Sequence, residues 1–186
     1  MQYLKIYIIL VWTIITRKCL GLDIDVFIPN ENYNIYNINE LVNLYSNKYH
    51  NINIYFKDTY FKYEGERIGL QINIPANTNV SLIGNPNSGT VIDFSNNIFY
   101  TSIVFNEYNG QQFKVENITF YHFIDQFSST ENDLFFIPAM DINFKVLFKN
   151  CIFDTSNSLI LSVPIRGIFT KQLPDYQIII DSCQFK

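Results

Sequence analysis

Four short segments of this 186-residue chain follow one residue pattern at an almost constant spacing. Each alternates apolar and variable positions and ends in a small, turn-prone residue: Gly84, Asn117, Asn150 and Ser182. The steps between these residues are 33, 33 and 32 positions. A repeat of this length, built from short alternating segments, is typical of a solenoid in which one structural unit stacks on copies of itself.

Each period contains three short strands separated by turn residues. In the first complete period we predict these strands at 80–83, 90–94 and 102–105. Every second side chain of a strand points to the same side, so corresponding residues of successive periods stack in columns. The columns are Phe120, Phe153 and Phe185 in one case and Ile118, Cys151 and Cys183 in the other. The sequence therefore predicts an all-β, right-handed, single-stranded parallel β-helix whose core stack includes Ile118, Phe120, Phe153 and Phe185.

The segment 37–46 is the one convincing helix. Ile38, Leu41, Val42 and Tyr45 share one helical face, and Asn37 with Glu40 resembles a capping box. We predict that this helix covers the N-terminal end of the coil. Residues 22–36 are predicted to be an irregular lead-in, and residues 37–186 form the parallel β-helix domain.

Residues 1–21 have the layout of a secretory signal peptide. A positively charged start precedes a ten-residue apolar run at 6–15, which is too short to span a bilayer as a helix. Cys19 and Gly21 supply small residues for cleavage. The alternative is an uncleaved membrane anchor, favoured by Arg17 and Lys18 near the cleavage position. We therefore expect a secretory-pathway protein that is extracellular or on the cell surface.

The charge balance argues against nucleic acid as a partner. Without residues 1–21 the chain has 10 Lys+Arg against 17 Asp+Glu, a formal charge of −7. Binding to nucleic acid depends on cationic side chains that displace counterions, and the sequence has no Lys/Arg cluster.

At fold level the chain resembles the pectin-lyase-type right-handed parallel β-helix family over about residues 37–186. The resemblance rests on the N-terminal helix, on 79–84 as a first full coil, and on 115–120 and 148–153 as repeat motifs. It implies the fold and leaves the activity open, because this scaffold carries lyases, hydrolases, adhesins and surface proteins. The chain stops directly after a coil corner at Lys186, so we expect a C-terminally incomplete member, with an active site or membrane anchor beyond that residue.

No convergent catalytic set is recognisable in the sequence. The carboxylates considered for glycoside chemistry are Asp93, Glu107, Glu116, Asp125, Asp141, Asp154 and Asp181. Glu116 and Asp181 occupy corresponding outward positions with Lys149 between them, which favours a surface charge ladder. His50 and His122 have no Ser or Cys partner in a known motif. We predict no catalytic residues, no metal site and no cofactor.

Three modification and binding features remain as hypotheses. Cys151 and Cys183 are either buried thiols in a stack or a disulfide between neighbouring coils, whose strand spacing of about 4.8 Å allows a bridge. Asn79, in a sequon predicted to lie in a loop, is a better N-glycosylation acceptor than Asn117 at a corner. Tyrosines predicted to be exposed suggest a carbohydrate-binding groove: Tyr55, Tyr63, Tyr100, Tyr108 and Tyr121. The alternative, which we favour, is an AT-rich codon bias together with partial burial of the rings.

The leading hypothesis is a secreted or cell-surface β-helix protein with a structural or binding role, including binding to polysaccharide or other cell-surface components. The alternative is a polysaccharide lyase or glycoside hydrolase whose active residues lie beyond residue 186. Membrane contact is expected only through an uncleaved N-terminal segment or a C-terminal anchor.

Overall fold

The computed structural model describes residues 22–63, 68–97, 99–123, 133–154, 160–164 and 177–186. Its one α-helix in these ranges, α1, spans Ile38–Ser46. The strands are β1 Asp23–Ile28, β2 Asn51–Phe56, β3 Tyr60–Lys62, β4 Ile68–Ile74, β5 Asn79–Ile83, β6 Thr90–Asp93, β7 Phe99–Phe105, β8 Gln111–Glu116, β9 Ile118–Tyr121, β10 Phe135–Phe136, β11 Phe144–Lys149, β12 Ile152–Asp154, β13 Leu161–Ser162, β14 Ile178–Asp181 and β15 Gln184–Phe185.

The strands form three sheets in which every pairing is parallel. The first sheet has the order β1-β2-β5-β8-β11-β14, the second β3-β6-β9-β12-β15 and the third β4-β7-β10-β13. From β2 onward the strands enter the first, second and third sheets in turn, so that each sheet gains one strand per lap from β2 to β13. The predicted fold class is confirmed: the protein is a nearly all-β parallel solenoid with one short helix near its N-terminus.

The first laps of the coil are shorter than the later ones. Asp23 lies beside Asn51 and Asn51 beside Asn79, each 28 residues further along the chain, whereas Asn79 lies beside Gln112 after 33 residues. The prediction of an irregular lead-in at 22–36 is wrong in its first half, because β1 pairs with β2 over six residues. Ile24, Val26 and Ile28 supply the alternating inner residues of this strand.

The N-terminal helix covers the end of the coil as predicted. Its inner residues Ile38, Leu41 and Val42 are fully buried. The capping box does not form, because the Asn37 amide donates to the Glu40 side chain (3.3 Å) and makes no side-chain cap bond to the backbone.

Stacked aromatic rings fill the interior beneath the second sheet. The ring centroids of Phe120 and Phe153 are 5.4 Å apart and those of Phe153 and Phe185 are 5.2 Å apart, both nearly parallel. Ile118, Phe120 and Phe153 are buried, whereas Phe185 is 57% exposed. Phe185 is exposed because β15 is the edge strand of its sheet in the described residues.

At the corner between the first and second sheets, one residue has backbone dihedral angles in the left-handed region of φ/ψ space. Asn117, Asn150 and Ser182 have φ of 58°, 52° and 55°. Asparagine reaches this region more easily than most residues, because its side chain tolerates the crowding there. At the same corner of the preceding coil, a Cβ on Gly84 would lie 2.0 Å from the Asn117 carbonyl oxygen. The turn residues of the sequence repeat are therefore the residues that bend the chain.

Candidate functional site

The outer side of the first three strands of the first sheet carries a row of polar and aromatic side chains. We call this surface the polar–aromatic face, and it consists of Asp23, Asp25, Phe27, Asn51, Asn53, Tyr55, Asn79 and Ser81. These residues alternate along β1, β2 and β5 with the buried ones, which places them on the solvent side. Successive strands of a parallel sheet lie about 4.8 Å apart, so the face repeats at that interval.

Amide and carboxylate groups on this face are joined from strand to strand. The Asn51 amide donates to Asp23 Oδ1 (2.6 Å), and the Asn79 amide donates to Asn51 Oδ1 (2.8 Å). Asn79 Oδ1 then accepts the backbone N–H of Gln112 (2.8 Å). These bonds hold the side chains of one column in a single orientation, so that their remaining donors and acceptors have fixed positions in space.

A second column places a carboxylate beside an aromatic pair. The Asn53 amide donates to Asp25 Oδ1 (2.9 Å). Next to it the rings of Phe27 and Tyr55 stack with centroids 5.1 Å apart and planes 20° from parallel. Phe27 is 48% exposed. Burial, followed by the charges of Asp25 and Glu116, raises the pKa of Tyr55, so its hydroxyl stays protonated and able to donate.

The later strands of the same sheet carry a charge ladder. Glu116 lies between Lys114 Nζ (2.5 Å) and Lys149 Nζ (3.2 Å). Burial opposes ionisation of Glu116, but the hydrogen bonds and charges of the two lysines outweigh it and its pKa lies below the usual value. Asp181 follows Lys149 in register, as the sequence predicted. The charge of Glu116 is therefore compensated by the two lysines beside it.

A separate polar cluster lies on the second sheet. Asp93 is 8% exposed and accepts hydrogen bonds from Tyr60 Oη (2.6 Å) and the Ser95 backbone N–H (2.8 Å). His122 Nδ1 lies 3.1 Å from Asp93 Oδ1, the oxygen that accepts the Ser95 N–H, whereas Tyr60 donates to Oδ2. Burial opposes ionisation of Asp93, but the bonds from Tyr60, Ser95 and His122 outweigh it, and the pKa of Asp93 is lowered.

The Asp93 cluster joins three successive coils, because Tyr60, Asp93 and His122 follow one another through β3, β6 and the end of β9. Its carboxylate has hydrogen-bond partners on both oxygens, and its lowered pKa makes it a poor proton acceptor at neutral pH. We interpret the cluster as structural and call it the Asp93 clasp, because its hydrogen bonds connect three successive coils. The sequence did not reveal it, since Tyr60 and His122 lie 33 and 29 residues from Asp93.

The remaining carboxylates and His50 lie apart from these two groups. Glu107 and Asp141 accept hydrogen bonds within their own turns, and Asp181 accepts one from the Ser182 hydroxyl (3.0 Å). His50 is exposed, and Asp154 lies beside Tyr121 in register. Asp125 and the predicted signal peptide at 1–21 lie outside the described residues. Within the described ranges, no three His, Cys, Asp or Glu side chains converge as metal ligands.

The predicted cysteine column lies in register on neighbouring coils. Both thiols are free, and the backbone N–H of Cys151 points to Cys183 Sγ at 3.4 Å. Burial raises the pKa of the Cys151 thiol to about 12, so Cys151 is a structural residue rather than a nucleophile. A disulfide in the oxidised protein stays a prediction.

Asn79 is not in a loop, contrary to the sequence prediction. It is the first residue of β5, and its side chain is hydrogen-bonded through both its nitrogen and its oxygen. N-glycosylation of Asn79 therefore stays a prediction. Because the side chain is hydrogen-bonded in the folded protein, the glycan would have to be attached before β5 forms. Asn117 occupies the corner, with positive φ.

The tyrosine prediction is partly wrong. Tyr63 is 1% exposed, because the chain turns inward after β3 and its ring packs against Phe94. Tyr108 is half-buried and its hydroxyl joins Pro138 to Met140. Tyr55, Tyr100 and Tyr121 are also half-buried. The exposed rings that were missed include Tyr36, Tyr60 and Phe27, the last in the strand that was predicted to be an irregular lead-in.

No family model, curated protein or solved structure matches this chain significantly. Among the helices that the structure describes, none has the length and apolar character needed to span a membrane.

Proposed function

We propose that this protein is a non-catalytic, secreted or cell-surface scaffold that binds polysaccharide on its polar–aromatic face. The observation that supports this proposal is the exposed Phe27 ring, stacked on half-buried Tyr55 beside carboxylate–amide pairs held in fixed orientations. Apolar faces of sugar rings stack on aromatic side chains, and sugar hydroxyls both donate and accept hydrogen bonds. Asp25 and Asn53 offer acceptors and a donor within the same strip of surface.

The geometry favours a polymer over a small ligand. The face is built on the outside of a sheet, and its side chains recur from one strand to the next. An extended glycan lying across β1, β2 and β5 would meet a carboxylate or amide on each strand. Since the amides are already oriented by the Asp23–Asn51–Asn79 column, little conformational entropy is lost when the ligand binds.

The proposal includes the secretory route and the fold family. The signal-peptide pattern of residues 1–21 supports export, and the negative charge of the remainder disfavours nucleic acid. The motifs at 79–84, 115–120 and 148–153 support membership of the pectin-lyase-type β-helix family. A polysaccharide lyase or hydrolase with its active residues beyond residue 186 is the competing proposal from another class.

The test is retention on insoluble polysaccharides and on a glycan array, comparing Phe27→Ala with Phe185→Ala. Both rings are about half exposed, and each stacks on one neighbour, so the two variants remove the same group from opposite ends of the solenoid. We expect Phe27→Ala to weaken binding about tenfold, which corresponds to about 1.4 kcal/mol, and Phe185→Ala to bind as the wild type does.

Equal loss in both variants, or no retention on any polysaccharide, would overturn the proposal. Release of new reducing ends or unsaturated products from the bound polymer would favour the competing enzyme.

A further inference from the structure

A solvent-open cavity of about 440 Å³ lies at the N-terminal end of the solenoid, at the end of β1. It is formed where the loop after β1 turns back toward the helix, and it is lined by Val26, Asn30, Glu31, Asn32, Tyr33, Tyr45 and Lys57. Its size falls in the range of small-molecule sites in proteins, which is about 300–1,000 Å³.

The side chain of Asn30 helps to hold the loop that forms one wall of the cavity. Asn30 Oδ1 accepts the backbone N–H groups of Asn32 and Tyr33, both at 2.9 Å. The Asn30 amide donates to the carbonyl of Phe27 (2.9 Å), and the Lys57 N–H donates to the carbonyl of Ile28 (2.8 Å). The wall and the rim of the cavity are therefore fixed to the same end of β1 that presents Phe27.

Four of the side chains that line the cavity have charged or hydroxyl groups that the fold does not use. Within the described part of the chain, neither the Glu31 carboxylate nor the Lys57 ammonium makes a hydrogen bond or an ion pair, and the hydroxyls of Tyr33 and Tyr45 make none. The cavity thus offers one anionic acceptor, one cationic donor and two phenols. Tyr33 and Tyr45 are half-buried, so each ring has one surface toward the solvent.

We infer that this cavity binds the terminal unit of a neutral glycan whose following units lie on the polar–aromatic face. The hydroxyls of a sugar can donate to Glu31 and accept from Lys57, and its carbon–hydrogen face can lie on a tyrosine ring. The opposite charges of Glu31 and Lys57 sum to zero, which favours an uncharged ligand over a polyanion. This inference rests on the proposed function, because it places the terminal sugar of the same polysaccharide in the cavity.

The test is saturation-transfer NMR and calorimetric titration with three neutral trisaccharides: maltotriose, cellotriose and laminaritriose. The variants are Glu31→Gln and Lys57→Met, which keep the size of each side chain and remove its charge. Lys62→Met, at an exposed lysine of β3, is the matched control. We expect at least one trisaccharide to bind the wild type, and each cavity variant to weaken that binding about 10- to 100-fold. The control should bind as the wild type does.

Free L-alanine and trigalacturonate serve as competitors, since a zwitterion or a polyanion would also meet a lysine and a glutamate. Displacement of the neutral trisaccharide by either at equal concentration would overturn the inference. All three residues changed are exposed, so unaltered thermal midpoints are expected and exclude misfolding as the cause.

Failure of the inference is distinguishable from failure of the proposed function. If Glu31→Gln and Lys57→Met bind trisaccharides normally while Phe27→Ala loses the polymer, the cavity assignment is wrong and the face remains the site. If the cavity variants lose the trisaccharide while Phe27→Ala keeps the polymer, the cavity assignment holds and the face is wrong. If neither kind of ligand binds the wild type, both are wrong.

Discussion

The residues at the coil corners recur at a regular spacing in the sequence, and their backbone conformation bends the chain. Asn117 and Asn150 lie in the left-handed region, where a Cβ-bearing residue without a short polar side chain is strained by about 1–2 kcal/mol. Glycine has no such strain. The spacing of small turn residues in the sequence therefore reports a backbone requirement rather than a binding site.

Asn150 allows this requirement to be tested without loss of a side-chain contact, because it is exposed. We expect Asn150→Ala to lower the free energy of unfolding by about 1 kcal/mol and Asn150→Gly to change it by less than half as much. Urea unfolding of the two variants would measure this difference. Equal destabilisation would show that the asparagine side chain, and not φ, is what the corner needs.

The two cysteines of the coil differ in burial, and this difference predicts their reactivity. The Cys151 thiol is buried with a pKa of about 12, whereas Cys183 is half-exposed on the next coil. In native protein with Cys19 absent or replaced, iodoacetamide at pH 8 should modify Cys183 and spare Cys151, and both should react after unfolding. Mass spectrometry of the alkylated peptides measures this. Protection of both thiols until a reductant is added would establish the disulfide instead.

At the scale of elements, neighbouring strands are joined by stacked rings in the core and by polar clasps outside it. The same aromatic ring has a different energetic role in the middle of the stack and at its open edge, because only the buried ring is removed from water on all sides. Phe120 and Phe185 illustrate the two situations on β9 and β15.

Phe120→Ala and Phe185→Ala make the same chemical change at these two positions. We expect Phe120→Ala to cost about 3–5 kcal/mol of unfolding free energy through loss of burial and a cavity between Phe94 and Phe153. Phe185→Ala should cost less than about 1 kcal/mol. Chemical denaturation of both variants is the measurement, and a similar cost would mean that the Phe185 side chain is covered in solution.

The clasp around Asp93 predicts how stability depends on pH. Its pKa is lower in the folded protein than its usual value of 3.8, and that of Glu116 is lower than 4.5. Their contribution is therefore complete above about pH 4.5 and is lost as the pH falls through the folded-state pKa values. We expect Asp93→Asn to be less stable at pH 7 and to have a shallower decline below pH 4.5. Urea unfolding from pH 7 to pH 2.5 tests this, and parallel curves for wild type and variant would contradict it.

At the scale of the whole molecule, the two ends of the solenoid differ. The N-terminal end is covered by α1 with Leu41 and Val42 fully buried, whereas at the other end β14 pairs only with β11 among the described strands. Because each coil contacts only its neighbours, local stability should follow the number of neighbours that each strand has.

Hydrogen exchange followed by mass spectrometry tests this gradient. Amides of β8, which pairs with β5 and β11, should exchange only through global unfolding, and amides of β14 should exchange faster. Equal protection of β8 and β14 would show that another strand or a second chain covers the edge.

The sequence determined the repeat, the parallel strands, the corner residues and the N-terminal helix, because each depends on local alternation or on a period that the chain itself displays. Only the tertiary structure showed the length of the first laps and the contacts between side chains that are distant in sequence. The 28-residue first laps bring Asp23–Ile28 into the first sheet and stack the exposed Phe27 ring on Tyr55, although aspartate is a poor strand former. It also brings Asp93 between Tyr60 and His122 and buries Tyr63, since these contacts depend on which side chains meet after the coil has closed.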